Sequence, residues 1–318
     1  MPADTFCITG ASGFVGRHVV AHLRNSGAGA IRALTRGDPR SAAGVEWITG
    51  DLRRRTALDR LLQHGAVALN LAFVADASVE ESRAQARELT EACAAAGVRR
   101  LVHVSTADVV GATDDPLIDE SAPCRPLNAY EQGKLAFESA LRGAPDRSFD
   151  VVILRPTAVF GRGGRNLVKL ARQVAQDSAL GNYLRACFHG KRAMNLVAAE
   201  TVAAAVAFVA TREDRVDDAV FFVSEDDFPE NNYRAVEDSL RAAFARPPRA
   251  IPVIAAPRWA QRAALRAAGR SNTNPDRRFS GARLRELGFR SPVAFADALQ
   301  EYSAYLAVQW QRDGTVSG

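Results

Sequence analysis

Short β-rich runs, mostly apolar, alternate with stretches of helical periodicity through the first 105 residues of the chain. Residues 6–9, 31–34, 45–48, 67–71 and 101–105 are brief, apolar and bounded by Gly, Asp or Arg, as strands buried on both faces are. Between them, residues 14–24, 56–63 and 79–96 repeat apolar positions three and four apart over helix lengths. Strand–helix–strand alternation of this kind predicts the α/β class: a doubly wound parallel sheet with helices on both faces.

Past Gly111 the pattern loosens into a loop carrying Asp114, Asp115, Pro116, Asp119, Glu120, Pro123 and Pro126. A helix is expected from about Asn128 and a strand over 149–154. Gly161, Gly163 and Gly164 then punctuate the chain, and the alternation is irregular beyond them. This predicts a sheet-containing unit over 1–165, to which the chain returns around 192–212. A smaller, mostly helical unit is expected from 166–191 and 213–318.

Composition narrows the function classes. The 318 residues are 47% apolar and 24% charged, ordinary for a globular chain. The longest apolar stretch, 202–210, is about half of a membrane span. No basic N-terminal leader precedes the glycine at position 10, so no membrane partner and a cytoplasmic location are expected. The four cysteines are widely spaced without a CxxC, and His18 and His22 lie one turn apart with no third ligand, so no metal site is expected. The formal charge is +5, but 38 of the 41 basic residues are scattered arginines without interleaved aromatic residues. That distribution argues against nucleic acid as a partner. It also singles out the three lysines, Lys134, Lys169 and Lys191.

The first predicted strand runs into Thr9-Gly10-Ala11-Ser12-Gly13-Phe14-Val15-Gly16, which opens the first predicted helix. Glycines at this spacing allow a tight turn and close approach to a pyrophosphate at the positive end of the helix, as in a Rossmann-like fold. A dinucleotide is therefore the expected cofactor. Arg36, at the end of the second strand, suits the 2′-phosphate of NADP(H); Asp38 on the ribose, and hence NAD, is the alternative, with Arg40 close behind. Asp51 and Leu52, after the third strand, are placed to touch the adenine.

Tyr130 and Lys134 stand four apart on a predicted helix and so share a face. An ammonium one turn away would stabilise a phenolate and let the tyrosine exchange a proton near neutral pH.

With these motifs in place, the chain resembles the extended short-chain dehydrogenase/reductase family, also called the NAD-dependent epimerase/dehydratase family. The resemblance rests on the glycine turn, Asn70-Leu71-Ala72, the stretch from His103 to Gly111, the Tyr130/Lys134 pair, and Leu154-Arg155-Pro156 running on to Gly161. It implies that Thr106 hydrogen-bonds the reacting oxygen, with Ser105 beside it the lesser candidate. It further implies that Tyr130 donates or accepts the proton and that Lys134 also holds the nicotinamide ribose. Leu71, Ala72, Arg155 and Pro156 would line the cofactor. Asp108, Asn166, Leu167, Arg192 and Arg277 or Arg278 would meet a nucleotide-sugar substrate, the arginines at its diphosphate. The exposed faces of 79–96 and 128–142 would pair in a homodimer. Val110 replaces the family's usual tyrosine and Arg162 its usual proline, both expected near the sugar.

The resemblance offers three reactions. Dehydratases of the family carry an Asp-Glu pair where this chain has Ala107-Asp108, which makes dehydration the least expected. Epimerases usually carry the NAD-selecting acid that Arg36 replaces. The leading expectation is therefore reduction of a nucleotide-linked 4-ketosugar by NADPH in polysaccharide or deoxysugar synthesis. A 4-epimerase holding NAD tightly is the alternative, and a non-catalytic NADP sensor is the alternative from another class.

Overall fold

The structure, a computed structural model, describes residues 4–37, 44–144, 147–216, 218–247, 251–267 and 274–314. Its strands are β1 (Asp4–Thr9), β2 (Gly29–Thr35), β3 (Val45–Thr49), β4 (Val67–Asn70), β5 (Arg100–Val104), β6 (Leu117–Ile118), β7 (Asp150–Pro156), β8 (Ala158–Phe160), β9 (Leu196–Ala198), β10 (Ala219–Val223) and β11 (Arg278–Phe279). The helices are α1 (Phe14–Asn25), α2 (Arg55–Leu61), α3 (Val79–Ala96), α4 (Ala129–Arg142), α5 (Val168–Gln176), α6 (Ala179–His189), α7 (Ala199–Thr211), α8 (Tyr233–Ala243), α9 (Arg258–Ala267), α10 (Ala282–Glu286) and α11 (Phe295–Asp313).

Seven parallel strands form one sheet in the order β10-β7-β5-β4-β1-β2-β3. Strand order reverses between β1 and β4, which opens a crevice at their carboxyl ends. Thr9 and Asn70 pair across that point, and the Thr9 hydroxyl donates to Asn70 Oδ1 at 2.6 Å.

Each face of the sheet buries its own core. Val19 and Leu23 of α1 and Val202 and Val206 of α7 cover one face; Leu58 of α2, Leu89 of α3 and Phe137 of α4 cover the other. A third cluster, including Leu167, Tyr233, Leu240, Phe295 and Tyr302, holds α5, α8 and α11 together beside the sheet. Local signals set the ends of the helices that carry the site. Ser78 and Glu81 form a reciprocal capping box at the start of α3. Asn128 caps α4 by accepting from Glu131 N at 3.0 Å.

The expected doubly wound sheet is present, with one boundary moved. The smaller unit was expected to include all of 213–318, yet β10 within it pairs with β7 at the sheet edge. Its five residues, Ala-Val-Phe-Phe-Val, are buried throughout, so Phe221 and Phe222 belong to the sheet, and the Phe222 ring also meets Phe279 of β11 at 5.1 Å. The returning stretch thus reaches Val223.

Candidate active site

The glycine turn is built where backbone must pass backbone. Gly10 has φ 73°, and a Cβ there would lie 2.6 Å from Ala72 N; one on Gly16 would lie 2.0 Å from Gly10 O. Gly13 N–H donates to Gly10 O at 3.0 Å. No side chain caps α1 and its first turn holds no acid, so its free N–H groups are left for an anion. Beside the turn lies a cavity of about 410 Å³ whose lining includes Gly10, Ser12, Arg36, Leu52, Leu71 and Ala72. Phe14 packs away from it: its ring meets His18 edge-on at 5.5 Å and fills the space beside Gly164. These residues fit a dinucleotide, whose pyrophosphate the glycine turn and the uncapped start of α1 would hold.

Arg36 is exposed and has no ion pair among the described residues. Asp51 is already engaged: Arg53 binds its carboxylate at 2.7 Å, and hydrogen bonds from that side chain hold its pKa down at about 2. Asp38 and Arg40 lie outside the described residues.

Thr106 caps the short 3₁₀ turn Ala107–Val110, its hydroxyl accepting from Asp108 N at 3.2 Å. α4 packs against this turn and brings Tyr130 and Lys134 to the same end of the sheet. Tyr130 is 41% exposed and Lys134 only 4%. The expected acidification of the phenol by its cationic neighbour is not what the structure shows. Lys134 Nζ donates to Val104 O at 3.0 Å and lies 4.4 Å from the centre of the Phe73 ring, while Phe73 meets Tyr130 edge-on at 5.5 Å. Burial pushes the Tyr130 phenol up, and the carboxylates of Asp108 and Glu131 push it the same way. Burial brings the Lys134 ammonium down to about 8.

Behind the site, Asn70 Nδ2 lies 3.0 Å from His103 Nδ1, and His103 stacks on Phe137 at 4.6 Å. His103 is fully buried, and desolvation pushes its pKa well down, so it stays neutral and ties β4 to β5. Ser105 is buried behind Thr106, which leaves Thr106 as the hydroxyl nearer the opening.

Other expected residues are drawn into the protein. Arg155 is buried with its guanidinium on Glu138 at 2.6 Å, so its side chain is not free to meet a cofactor. Asn166 Nδ2 donates to Val159 O at 2.7 Å, and Leu167, at φ 69°, sends its side chain into the third cluster. Arg277 is buried, donates to Gly111 O at 2.6 Å and lies 3.9 Å from Asp108. Arg278 is exposed on β11, and Arg192 is half-buried at the start of the stretch leading into β9. Val110 packs against Ile118, Phe222 and Phe279. Arg162 was expected near the sugar, but it pairs with Glu301 and lies over Tyr305, both on α11. Its exposed side chain follows the carboxylate offered by that helix.

Two residues escaped the sequence reading. Phe73 follows the recognised Asn70-Leu71-Ala72, and Glu138 stands one turn beyond Lys134. The i,i+4 spacing from Lys134 to Glu138 was a readable signal for the second. No local pattern marks the first.

Among the described residues no group of acids, histidines and cysteines forms a metal site, and no helix is long and apolar enough to cross a membrane.

Known proteins resemble this chain in sequence and in fold. The chain is 32% identical over 151 residues to a UDP-glucose 4-epimerase of Azospirillum brasilense, covering 43% of this chain and 43% of the relative. It is 33% identical over 183 residues to a ceramide reductase of Caulobacter vibrioides (54% and 52%) and 34% identical over 176 residues to a dTDP-4-keto-6-deoxy-D-glucose reductase of Streptomyces niveus (52% and 56%). The chain thus spans about half the length of these curated relatives. A dTDP-glucose 4,6-dehydratase from Streptomyces venezuelae, solved with NAD, superposes with a TM-score of 0.67 at 20% identity over 96% of this chain and 98% of its own, a likeness of fold. The family model for the NAD dependent epimerase/dehydratase family matches residues 6–223, more than half of the sequence, and the chain belongs to that family.

Proposed function

We propose that the protein reduces the 4-keto group of a nucleotide-linked sugar with NADPH. The observation that carries this reading is geometric: α4 brings the Tyr130 phenol, 41% exposed, to the same end of the sheet as the Thr106 hydroxyl. The phenol carries its proton at neutral pH and can donate it, the role that carbonyl reduction requires. A reduced nicotinamide, when bound, supplies the hydride. Tyr130 protonates the carbonyl oxygen, and Thr106, set by its own cap on Asp108 N, donates a hydrogen bond to the same oxygen. Lys134 lies buried one helical turn beyond the phenol, and Arg36, exposed beside the cavity, would meet a 2′-phosphate.

A second reading is favoured by the side chains that would hold a diphosphate. Arg277 is bonded to Gly111 O, the Asn166 amide to Val159 O, and Leu167 is buried. On that reading the same proton donor serves a ketone on an apolar chain, the class suggested by the ceramide reductase relative.

The experiment is NADPH oxidation with UDP- and dTDP-linked 4-ketosugars, and separately with long-chain ketones. Turnover of the sugars, lost by about 10²- to 10⁴-fold in Tyr130→Phe with dinucleotide affinity retained, supports the first reading. Turnover of the long-chain ketones alone supports the second. Interconversion of C4 epimers without NADPH consumption, on tightly held NAD, replaces both with epimerisation. Unchanged function in Tyr130→Phe leaves a dinucleotide sensor.

A further inference from the structure

We propose that the face formed by α6 and the segment leading into α9 docks onto an anionic phospholipid membrane. Five of the ten large apolar side chains exposed among the described residues belong to two stretches: Leu180 (65%) and Leu184 (58%) on α6, and Ile251 (61%), Ile254 (78%) and Trp259 (74%). The stretches adjoin, since the Tyr183 hydroxyl donates to Pro252 O at 3.1 Å and Ala256 N to Cys187 O at 2.8 Å. Leu180 and Leu184 lie one turn apart on the same side of α6. On α9, Gln261 and Leu265 are buried, which leaves Trp259, Ala263 and Arg266 outward.

Within the two stretches that form this patch the charge has one sign. Residues 178–192 and 251–267 contain no Asp or Glu, yet carry Arg185, Lys191, Arg192, Arg258, Arg262 and Arg266. Acids from elsewhere meet some of these: Asp177 pairs with Arg185, Asp276 with Arg258 at 2.5 Å, and Asp114 approaches Arg262 at 3.9 Å. Lys191 and Arg266 are exposed and have no ion pair among the described residues.

A tryptophan and branched aliphatic residues ringed by arginine match the headgroup region of an anionic bilayer, which supplies both apolar depth and negative charge. A symmetric contact with a second copy would set the basic rim against itself. Such docking needs no spanning helix, and among the described residues no helix is long and apolar enough to be one. The patch is tied to the turn that carries Asp108, because Asp276, the partner of Arg258, precedes Arg277, which lies 3.9 Å from Asp108.

Co-sedimentation of the full chain with phosphatidylcholine vesicles, with and without phosphatidylglycerol, tests it. The expected result is binding only to the anionic vesicles, reversed by high salt, with a blue shift of tryptophan emission that Trp259→Phe abolishes. Ile254→Glu with Trp259→Glu should weaken partition by about tenfold or more. Arg266→Gln should weaken it by about fivefold. Thermal unfolding and dinucleotide binding should be unchanged in these variants and so report an intact fold. Absence of vesicle binding overturns the proposal, as does equal binding to both vesicle types that the substitutions leave intact. Self-association abolished by the paired substitution also overturns it and assigns the face to a second copy.

Discussion

The ammonium of Lys134 sits 4.4 Å over the ring of Phe73, and the edge-on contact of that ring with Tyr130 sets an aromatic group against both members of the Tyr–Lys pair. The cation is thereby desolvated and stabilised by ring and carbonyl together, and not by a phenolate.

Replacing Phe73 by Leu keeps the volume apolar and removes the ring. A cation–π contact of about 0.5–2 kcal/mol disappears, so turnover should fall by roughly three- to thirtyfold. Dinucleotide affinity should change less than turnover. A steady-state separation of kcat from the cofactor KM checks this; unchanged kcat would show that the ring only fills space.

Arg36→Ala should weaken NADPH binding by roughly ten- to a hundredfold, the worth of a charge-assisted hydrogen bond, and leave NADH binding nearly unchanged. Calorimetric titration with each dinucleotide decides it. Equal loss for both would remove Arg36 from 2′-phosphate recognition.

The pairing of Arg155 with Glu138 is buried on both sides, at 5% and 3% side-chain exposure. Glu138→Leu strands a buried guanidinium and should cost about 3–5 kcal/mol, whereas Glu138→Leu with Arg155→Met should cost much less. Urea unfolding of the two variants gives the comparison.

Lys134 supplies a pH dependence. Its folded pKa, lowered by burial to about 8, lies below the unfolded value of about 10.4. Between those values the unfolded chain binds more protons, so stability rises with pH through that window; below it the full cost of burying the charge is present. Relative to Lys134→Met, the cofactor-free protein should gain up to about 3 kcal/mol from about pH 7 to about pH 10. Parallel stability curves for the two proteins would contradict the assignment.

The sequence by itself determined the sheet, the glycine turn and the order of the functional segments. The central strands β1, β4 and β5 are dominated by buried apolar residues because both faces are covered, and Gly10 and Gly16 stand where any side chain would strike backbone. Such constraints act within a few residues or through a regular period, so they are written locally. Only the tertiary structure decided what the charged side chains do. Arg155 turns inward because Glu138 waits on α4, Arg162 joins α11 because Glu301 is there, and Lys134 faces Phe73 instead of acidifying Tyr130. Each partner is distant in sequence or unmarked by any pattern. The protonation state of the Tyr130 phenol is set by the sum of burial and neighbouring charge, which exists only once the chain is folded.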